Sequence, residues 1–272
     1  MTDEWLRSAA RPVRLARIDT TVPNVARVWN YLVGGRDNFE ADRQAARQLV
    51  DAAPVMADIG HASRAFLRRL VRYLAAEAGI RQFLDIGTGI PTAGNTHEVA
   101  QSVAPECRTV YVDNDPVVLA HARALLRSAP EGVTSYIDAD ARDPGKIIAA
   151  AQDTLDLGQP VAIVMIGILN YIEGTREVGS ILDTLLEAVP PGSYLALMQP
   201  AADESLLAAQ RRWNQVSPVP MWLRTREEVA GWLDGLELVE PGIVDVDKWR
   251  PADGDPVYPD GMPLHGAVAR KP

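Results

Sequence analysis

The chain has 272 residues, of which 47% are hydrophobic and 23% are charged, and its formal net charge is −9. This composition suits one large α/β domain with a sizeable core and argues against wholesale disorder. The acidic balance argues against nonspecific binding to nucleic acid or to an anionic membrane, because both need a basic surface.

A single cysteine, Cys107, leaves no intrachain disulfide to form, so a reducing cytoplasm is the simplest expected location. The histidines are scattered without the spacing of a zinc site, and no metal is expected. No apolar run is long enough to span a bilayer, and the N-terminal residues lack the apolar stretch of a secretory signal. The sequence therefore predicts a cytoplasmic protein that does not bind membranes.

The N-terminal part of the chain is predicted to form a loose arm, residues 1–20, followed by a helical cap, residues 21–79. The arm has no clear period, whereas the cap has apolar residues at helical spacing. Asp37 and Glu40 have the spacing of a capping box at the start of the second helix. Three cap helices are predicted, at about 23–33, 38–53 and 62–78.

The remainder, residues 80–272, alternates between strands and helices and is predicted to form the second domain. Its strands are predicted at 82–86, 108–112, 133–137, 161–166, 193–198, 236–246 and 265–270. Its helices are predicted at 92–103, 116–128, 175–189, 203–214 and 226–234. Strands that are separated by helices run parallel, and the last two strands, with no helix between them, can add an antiparallel strand.

A glycine-containing turn follows the first of these strands. Asp85-Ile86-Gly87-Thr88-Gly89 ends that strand, and Asp113 ends the next one, 26 residues past Gly87. The glycines let the backbone turn tightly and approach a ligand, while the second carboxylate can accept hydrogen bonds from ribose hydroxyls. Asp140 follows the third strand. Because ligands bind at the carboxyl ends of such strands, this pattern predicts a site for an adenosine-containing ligand.

Four segments resemble, in order, the motifs of class I methyltransferases: Asp85–Gly89, Tyr111–Asp115, Asp138–Asp143 and Gly167–Tyr171. A narrower resemblance, to an actinobacterial family of S-adenosyl methyltransferases, covers nearly the whole chain and is carried by Val28–Phe39, Phe83–Thr92 and Val112–Leu119. It implies a Rossmann-like class I methyltransferase fold, with a seven-stranded, mostly parallel sheet of order 3-2-1-4-5-7-6 and an N-terminal helical cap. It also implies S-adenosylmethionine (SAM) as cofactor and S-adenosylhomocysteine (SAH) as product, but no substrate.

The residues expected to bind the cofactor are Asp85, Gly87, Thr88, Gly89, Asp113, Asn114, Asp140, Ala141, Ile168, Tyr31 and Gly34. Asp113 is assigned to the ribose because Asp115, directly before Pro116, is the better helix cap. Asp140 is expected to accept a hydrogen bond from the adenine amino group. The assignment of Tyr31 and Gly34 comes from the resemblance alone. Arg64 could pair with the cofactor carboxylate, although a solvated helix face is the favoured interpretation.

No residue is assigned as the catalytic base, since methyl transfer needs one only when the acceptor must lose a proton. Tyr31, His61 and Tyr171 are the candidates on the acceptor side. Three tryptophans could either pack in the core or line an acceptor pocket, and both interpretations stay open: Trp213, Trp222 and Trp232.

The acceptor is expected to be a small molecule and not a nucleic acid, and the oligomeric state does not follow from the sequence. One alternative is a noncatalytic SAM-binding sensor or interaction protein, which nothing in the sequence excludes. A second is an NAD-dependent oxidoreductase. It is less favoured because the dinucleotide fingerprint needs a glycine at position 92, where this chain has Thr92.

Overall fold

The computed structural model describes residues 19–125, 128–258 and 261–272, so nearly all of the predicted N-terminal arm lies outside the described residues. The helices within these ranges are α1 (Val25–Leu32), α2 (Glu40–Ala52), α3 (Met56–Ala76), α4 (Thr96–Val103), α5 (Pro116–Leu125), α6 (Pro144–Ala151), α7 (Thr175–Glu187), α8 (Glu204–Val216) and α9 (Arg226–Gly231). The strands are β1 (Gln82–Ile86), β2 (Arg108–Asp113), β3 (Val133–Asp138), β4 (Ala162–Ile166), β5 (Tyr194–Pro200), β6 (Glu237–Leu238), β7 (Val244–Asp245) and β8 (Leu264–Arg270).

The described strands form one sheet of order β3-β2-β1-β4-β5-β8-β6, with β7 also paired to β8. Strands β1 to β5 are parallel, and β8 runs antiparallel to β5. The Rossmann-like methyltransferase fold is therefore confirmed, with eight strands instead of seven. The predicted strand at 236–246 is divided into β6 and β7 by a turn, because Pro241 has no N–H for a ladder and Gly242 has φ +86°. When the two pieces are counted as one strand, the predicted order holds.

Two apolar layers cover the two faces of the sheet. Phe83 of β1 packs in the same layer as Phe66 of α3. Leu84, the next residue along β1, packs in the opposite layer with Ile147 of α6 and Leu182 of α7. This alternation is what a strand buried on both faces requires. Because helices occupy both faces, a ligand can approach the sheet at the carboxyl ends of its strands.

Several helices begin at other residues than predicted. The start of α2 is set by Asp42, whose Oδ2 accepts a hydrogen bond from the backbone N of Phe39 at 2.8 Å, so the predicted capping box at Asp37 was wrong. The start of α3 at Met56 is six residues before the predicted one. The start of α4 is Thr96 and not residue 92, because Glu98 accepts from the backbone N of Asn95 at 3.0 Å.

The first two helices are joined by a buried ion pair. Arg27 Nε of α1 lies 2.9 Å from Asp42 Oδ2 of α2, and both side chains are almost fully buried. Asp42 Oδ1 also accepts from the backbone N of Asn24, the residue that caps α1. One carboxylate therefore fixes the start of both helices. None of the helices in the described ranges has the length and apolar character needed to cross a bilayer.

Candidate cofactor site

A cavity of about 410 Å³ lies at the carboxyl ends of β1, β2 and β4 and is covered by α1. Most of the predicted cofactor-binding residues line it: Asp85, Gly87, Thr88, Gly89, Asp113, Asn114, Asp140, Ala141 and Ile168. Residues that are distant in sequence meet here because parallel strands bring their carboxyl ends to one edge.

The turn after β1 depends on its two glycines. Gly87 and Gly89 have φ values of +78° and +67°, a region that residues with a Cβ rarely adopt. A Cβ built on Gly87 would lie 2.5 Å from Ile168 Cβ, so the backbones of the two loops can approach only because Gly87 has no side chain. At Gly89 a Cβ would meet nothing within 4 Å. Gly87 thus serves close packing, and Gly89 leaves open space beside the cavity.

Asp113 connects the first and second strand ends. Its Oδ2 accepts from the backbone N of Gly89 at 2.8 Å, and its Oδ1 accepts from the backbone N of Asp115 at 2.9 Å. Asp115 caps α5 by accepting from the backbone N of Val117, as the sequence predicted. Each Asp113 oxygen keeps a further lone pair for a ligand donor. Burial raises the pKa of Asp113 to about 6, and the two amide hydrogen bonds partly offset that effect.

Asp85 is a second carboxylate in the same cavity and is more deeply buried than Asp113. Thr96 Oγ1 donates to Asp85 Oδ2 at 2.5 Å, and the side chain is 6% exposed. Burial raises the pKa of Asp85 to about 6, while the Thr96 hydrogen bond and the Arg64 guanidinium act in the opposite direction. The cavity therefore holds two carboxylates that ionise close to pH 6.

Arg64 lines the cavity, so the favoured interpretation of a solvated helix face was wrong. Its Nη2 donates to the carbonyl oxygen of Gly94 at 2.9 Å, which ties α3 to the loop before α4. Its Nε is buried and has no hydrogen-bond partner among the described residues. A buried guanidinium N–H without an acceptor suits an anionic ligand group, because Arg pairs well with carboxylates.

The turn after β3 forms the opposite end of the cavity. Asp140 Oδ2 accepts from Asn114 Nδ2 at 3.1 Å, and its Oδ1 accepts from the backbone N of Arg142 at 2.9 Å. Arg142 in turn donates to the carbonyl oxygen of Tyr171. These contacts hold Asp140 at the rim, where a carboxylate and the neighbouring backbone can meet a base edge.

The structure brings other residues to the cavity that the sequence did not single out. Trp29 and Asn30 of α1 line it, although the prediction for this helix had named Tyr31 and Gly34. Tyr111 of β2 lines it too, and its hydroxyl accepts from the backbone N of His97 at 2.8 Å. The tyrosine belongs to the Tyr111–Asp115 motif but was not singled out, because an aromatic residue within an apolar strand has the pattern of a core residue.

Three sequence candidates are not brought to the site. The lining of the cavity, as far as the described residues define it, does not include Tyr31, Gly34 or His61. His61 is exposed on α3. Tyr171 does line the cavity, but burial raises its pKa to about 12, so the phenol is neutral near pH 7 and is a poor base.

The three tryptophans have different positions. Trp232 is 7% exposed and packs in the layer that contains α7, with its Nε1 donating to the carbonyl oxygen of Thr175. Trp213 is 2% exposed and lines a second, apolar cavity beside the first. Trp222 is half-buried, and its Nε1 has no partner in the described part of the chain. Trp232 is therefore a core residue, whereas Trp213 borders a cavity.

Comparisons with known proteins show the family and the fold of the chain. The profile of a family described as S-adenosyl methyltransferase matches residues 12–272. A DUF574 family protein from Streptomyces avermitilis is 46% identical, with a TM-score of 0.90 over 94% of this chain and 100% of that chain. A candidate methyltransferase from Thermobifida fusca is 39% identical, with a TM-score of 0.85 over 93% of this chain and 96% of that one.

A more distant structure shares the fold alone. Magnesium protoporphyrin IX methyltransferase from Synechocystis, solved with bound SAH, is 12% identical, with a TM-score of 0.54 over 86% of this chain and 95% of that chain. No curated protein matches the sequence. The family match spans both apolar layers and every segment of the cavity. The chain therefore belongs to the S-adenosyl methyltransferase family, whose cofactor is S-adenosylmethionine.

Proposed function

We propose that the protein transfers the methyl group of SAM to a small-molecule acceptor. The observation that carries this proposal is Asp113, a half-buried carboxylate at the end of β2 that already accepts a hydrogen bond from the amide of the glycine turn. Its remaining lone pairs suit the two hydroxyls of a ribose. The net charge of −9 supports a small acceptor over a nucleic acid, because binding to phosphates needs basic surface.

The two ends of the cavity suit the two ends of the cofactor. At one end, Asn114, Asp140 and Ala141 can contact the adenine edge. At the other end, the buried carboxylate of Asp85 suits an ammonium group, and the unpartnered Nε of Arg64 suits a carboxylate. Bound SAM supplies a methyl group on a positively charged sulfur.

The contribution of the chain is then to position the reactants and to exclude water. Helix α1 covers the cavity, and Trp29 and Tyr171 form an apolar wall beside it. An enclosed apolar site favours a reaction in which charge is dispersed, and correct positioning supplies much of the acceleration. Neutral Tyr171 orients an acceptor instead of removing its proton. A proton that the acceptor loses passes to bulk water, because no residue is assigned as a base.

The test is a calorimetric titration of the protein with SAM, SAH and NAD. We expect SAM and SAH to bind and NAD not to bind. In Asp113→Ala, SAH affinity should fall by about tenfold to a hundredfold, because hydrogen bonds to a charged group are lost. The matched control is Asp138→Ala, an exposed acid at the end of β3 outside the cavity lining, which should bind SAH normally.

Other outcomes would point to the alternatives. Binding of NAD with no binding of SAH would contradict the methyltransferase proposal and favour an oxidoreductase. Tight SAH binding, with no SAH formed from SAM across a broad panel of acceptors, would favour the noncatalytic sensor.

A further inference from the structure

A second cavity lies directly beside the cofactor cavity and is almost wholly apolar. Its lining among the described residues contains no charged side chain, and its walls come from α1, α2, α3, α8 and the segment after β4. Four residues line both cavities: Val25, Trp29, Gly167 and Tyr171. The space where a methyl acceptor must approach the cofactor is therefore bordered by the aromatic rings of Trp29 and Tyr171.

One buried polar side chain, Asn170, lines the second cavity. It is 2% exposed and belongs to the 3-10 turn Leu169–Tyr171 after β4. Its backbone oxygen accepts from the backbone N of Trp222 at 2.7 Å, which fixes the turn. A hydrogen bond from its side chain to the Tyr171 phenol lowers the pKa of that phenol, so the Asn170 amide N–H is the donor.

The other atom of this amide is left without a partner. Asn170 Oδ1 is buried and accepts no hydrogen bond from the described residues. A buried acceptor without a donor is costly, and such an atom in a native fold needs an explanation. A ligand that brings one N–H or O–H group to this oxygen would supply the missing partner.

We propose that the boundary between the two cavities, formed by Trp29 and Tyr171 with Asn170 behind them, binds the methyl acceptor. The acceptor is a small aromatic molecule with one hydroxyl or N–H group that donates to Asn170 Oδ1. The inference rests on the proposed methyltransferase function and names the substrate class for the same site. Aromatic rings favour stacked or edge-to-face contacts with Trp29 and Tyr171. A charged acceptor group would lose its hydration at the second cavity, where no charged side chain among the described residues could compensate for that loss.

The volumes of the two cavities indicate which part of the acceptor lies in each. The second cavity has about 20 Å³, space for a single water, whereas the first has about 410 Å³. The ring of the acceptor therefore lies in the first cavity, and only its donor group reaches the second. That approach passes residues that line both cavities, Trp29 and Tyr171 among them.

The experiment uses probes that differ in one donor. The protein is saturated with SAH, and the binding of 1-naphthol, 1-methoxynaphthalene, 1-naphthoate and ethanolamine is measured by calorimetry. We expect 1-naphthol to bind about tenfold more tightly than 1-methoxynaphthalene, since only the naphthol can donate to Asn170 Oδ1. The carboxylate and the aliphatic amine should bind more weakly than 1-naphthol.

Two variants locate the effect. Asn170→Ala should remove the difference between 1-naphthol and 1-methoxynaphthalene. Thr109→Val is the matched control, because Thr109 Oγ1 is another buried oxygen without a partner in the described ranges, but it lines neither cavity. This control should keep the difference. If Asn170→Ala does not fold, the comparison of 1-naphthol with 1-methoxynaphthalene on the unsubstituted protein still tests whether a donor group strengthens binding.

The proposal would be overturned if SAH binds while the two naphthalene probes bind equally or not at all, or if ethanolamine binds more tightly than either. A difference that persists in Asn170→Ala would overturn the role of Asn170. Failure of SAH itself to bind would count against the methyltransferase function, so the two failures are distinguishable.

Discussion

Asp85 and Asp113 show how burial adjusts a binding site at the level of single residues. Both carboxylates lie in the cofactor cavity, and burial raises the pKa of each to about 6. A carboxylate accepts hydrogen bonds from hydroxyls, or attracts an ammonium group, most strongly when it is ionised. The proposed contacts therefore become weaker as the pH falls through 6.

We expect the dissociation constant for SAH to be flat above about pH 7 and to rise at lower pH. At pH 5 a group with a pKa of about 6 is ionised in about a tenth of the molecules, so each carboxylate that must be ionised weakens binding about tenfold. Calorimetry between pH 5 and pH 8 measures this profile. In Asp113→Asn the profile should be shallower, because one of the two groups no longer titrates.

Protonation of Asp85 and Asp113 does not unfold the protein, so unfolding caused by these two groups would not explain a loss of SAH affinity at low pH. Their folded-state pKa values are higher than the unfolded ones, so protonation between pH 6 and pH 4 stabilises the folded state relative to neutral pH. Circular dichroism at each pH is the control. A dissociation constant that does not change between pH 8 and pH 5 would contradict the role given to both acids.

The two glycines of the turn after β1 offer a matched pair of substitutions. Gly89→Ala should destabilise the fold by about 1–2 kcal/mol, the strain of a Cβ in the left-handed region. Gly87→Ala should destabilise it further, because the new Cβ would also lie 2.5 Å from Ile168 Cβ. Urea denaturation measures both, and the double variant Gly87→Ala/Ile168→Gly, which removes the Ile168 Cβ, should recover part of the loss. Equal effects of the two single substitutions would contradict this account.

The cofactor side of the cavity could largely be predicted from the sequence, because glycines and carboxylates at strand ends form a local pattern. The side of the cavity formed by the N-terminal helices could not be predicted in this way. Tyr31 and Trp29 are two residues apart on α1 and point in different directions, and only the packing of this helix shows that Trp29 faces the cavity. Asn170 was missed for a similar reason, since neither its burial nor its unpaired oxygen can be read from the sequence.

At the level of elements, the cover of the cavity depends on how α1 is held. Helix α1 has eight residues, too few to be stable alone, so its position comes from tertiary contacts. The main polar contact is the Arg27–Asp42 pair, which also joins the caps of α1 and α2. Loss of this pair should therefore affect both the stability and the ligand affinity of the protein.

We expect Asp42→Ala to lower the free energy of unfolding by about 3–5 kcal/mol, since it leaves the Arg27 guanidinium buried without its partner. SAH affinity should fall with it, because α1 lines the cavity. The matched control is Glu40→Ala, two residues away on α2, where the carboxylate forms exposed ion pairs with Arg43 and Arg47. It should change neither quantity appreciably, and a similar effect of both substitutions would contradict the assignment.

Local sequence signals predicted some of the helix boundaries and missed others. Thr225 and Glu228 form a capping box, and α9 begins at Arg226 as predicted. Helix α6 was not predicted, although Asp143 accepts from the backbone N of Lys146 and Pro144 occupies the first turn. Its eight residues are too few to give a clear period. The early start of α3 at Met56 was missed because Gly60 interrupts the apolar pattern there.

At the scale of the whole molecule, ligand binding should appear as thermal stabilisation. A ligand that binds only the folded state at 100 times its dissociation constant adds about 2.7 kcal/mol of stability. For a chain of this size we expect SAH to raise the melting temperature by about 5 °C or more, and NAD to leave it unchanged. Differential scanning fluorimetry measures both. A shift with NAD but not with SAH would contradict the cofactor assignment.

The position of β8 in the sheet has a consequence for how the protein is made. This strand lies between β5 and the β6–β7 pair, although it follows all of them in the chain. While the ribosome is still producing residues 264–270, β5 has an open edge with unpaired backbone groups, which is the kind of surface that aggregates. Assembly of the sheet must therefore wait for β8. A stop codon shortly before β8 would remove an interior strand of the sheet. The truncated chain would then depend on chaperones to remain unaggregated.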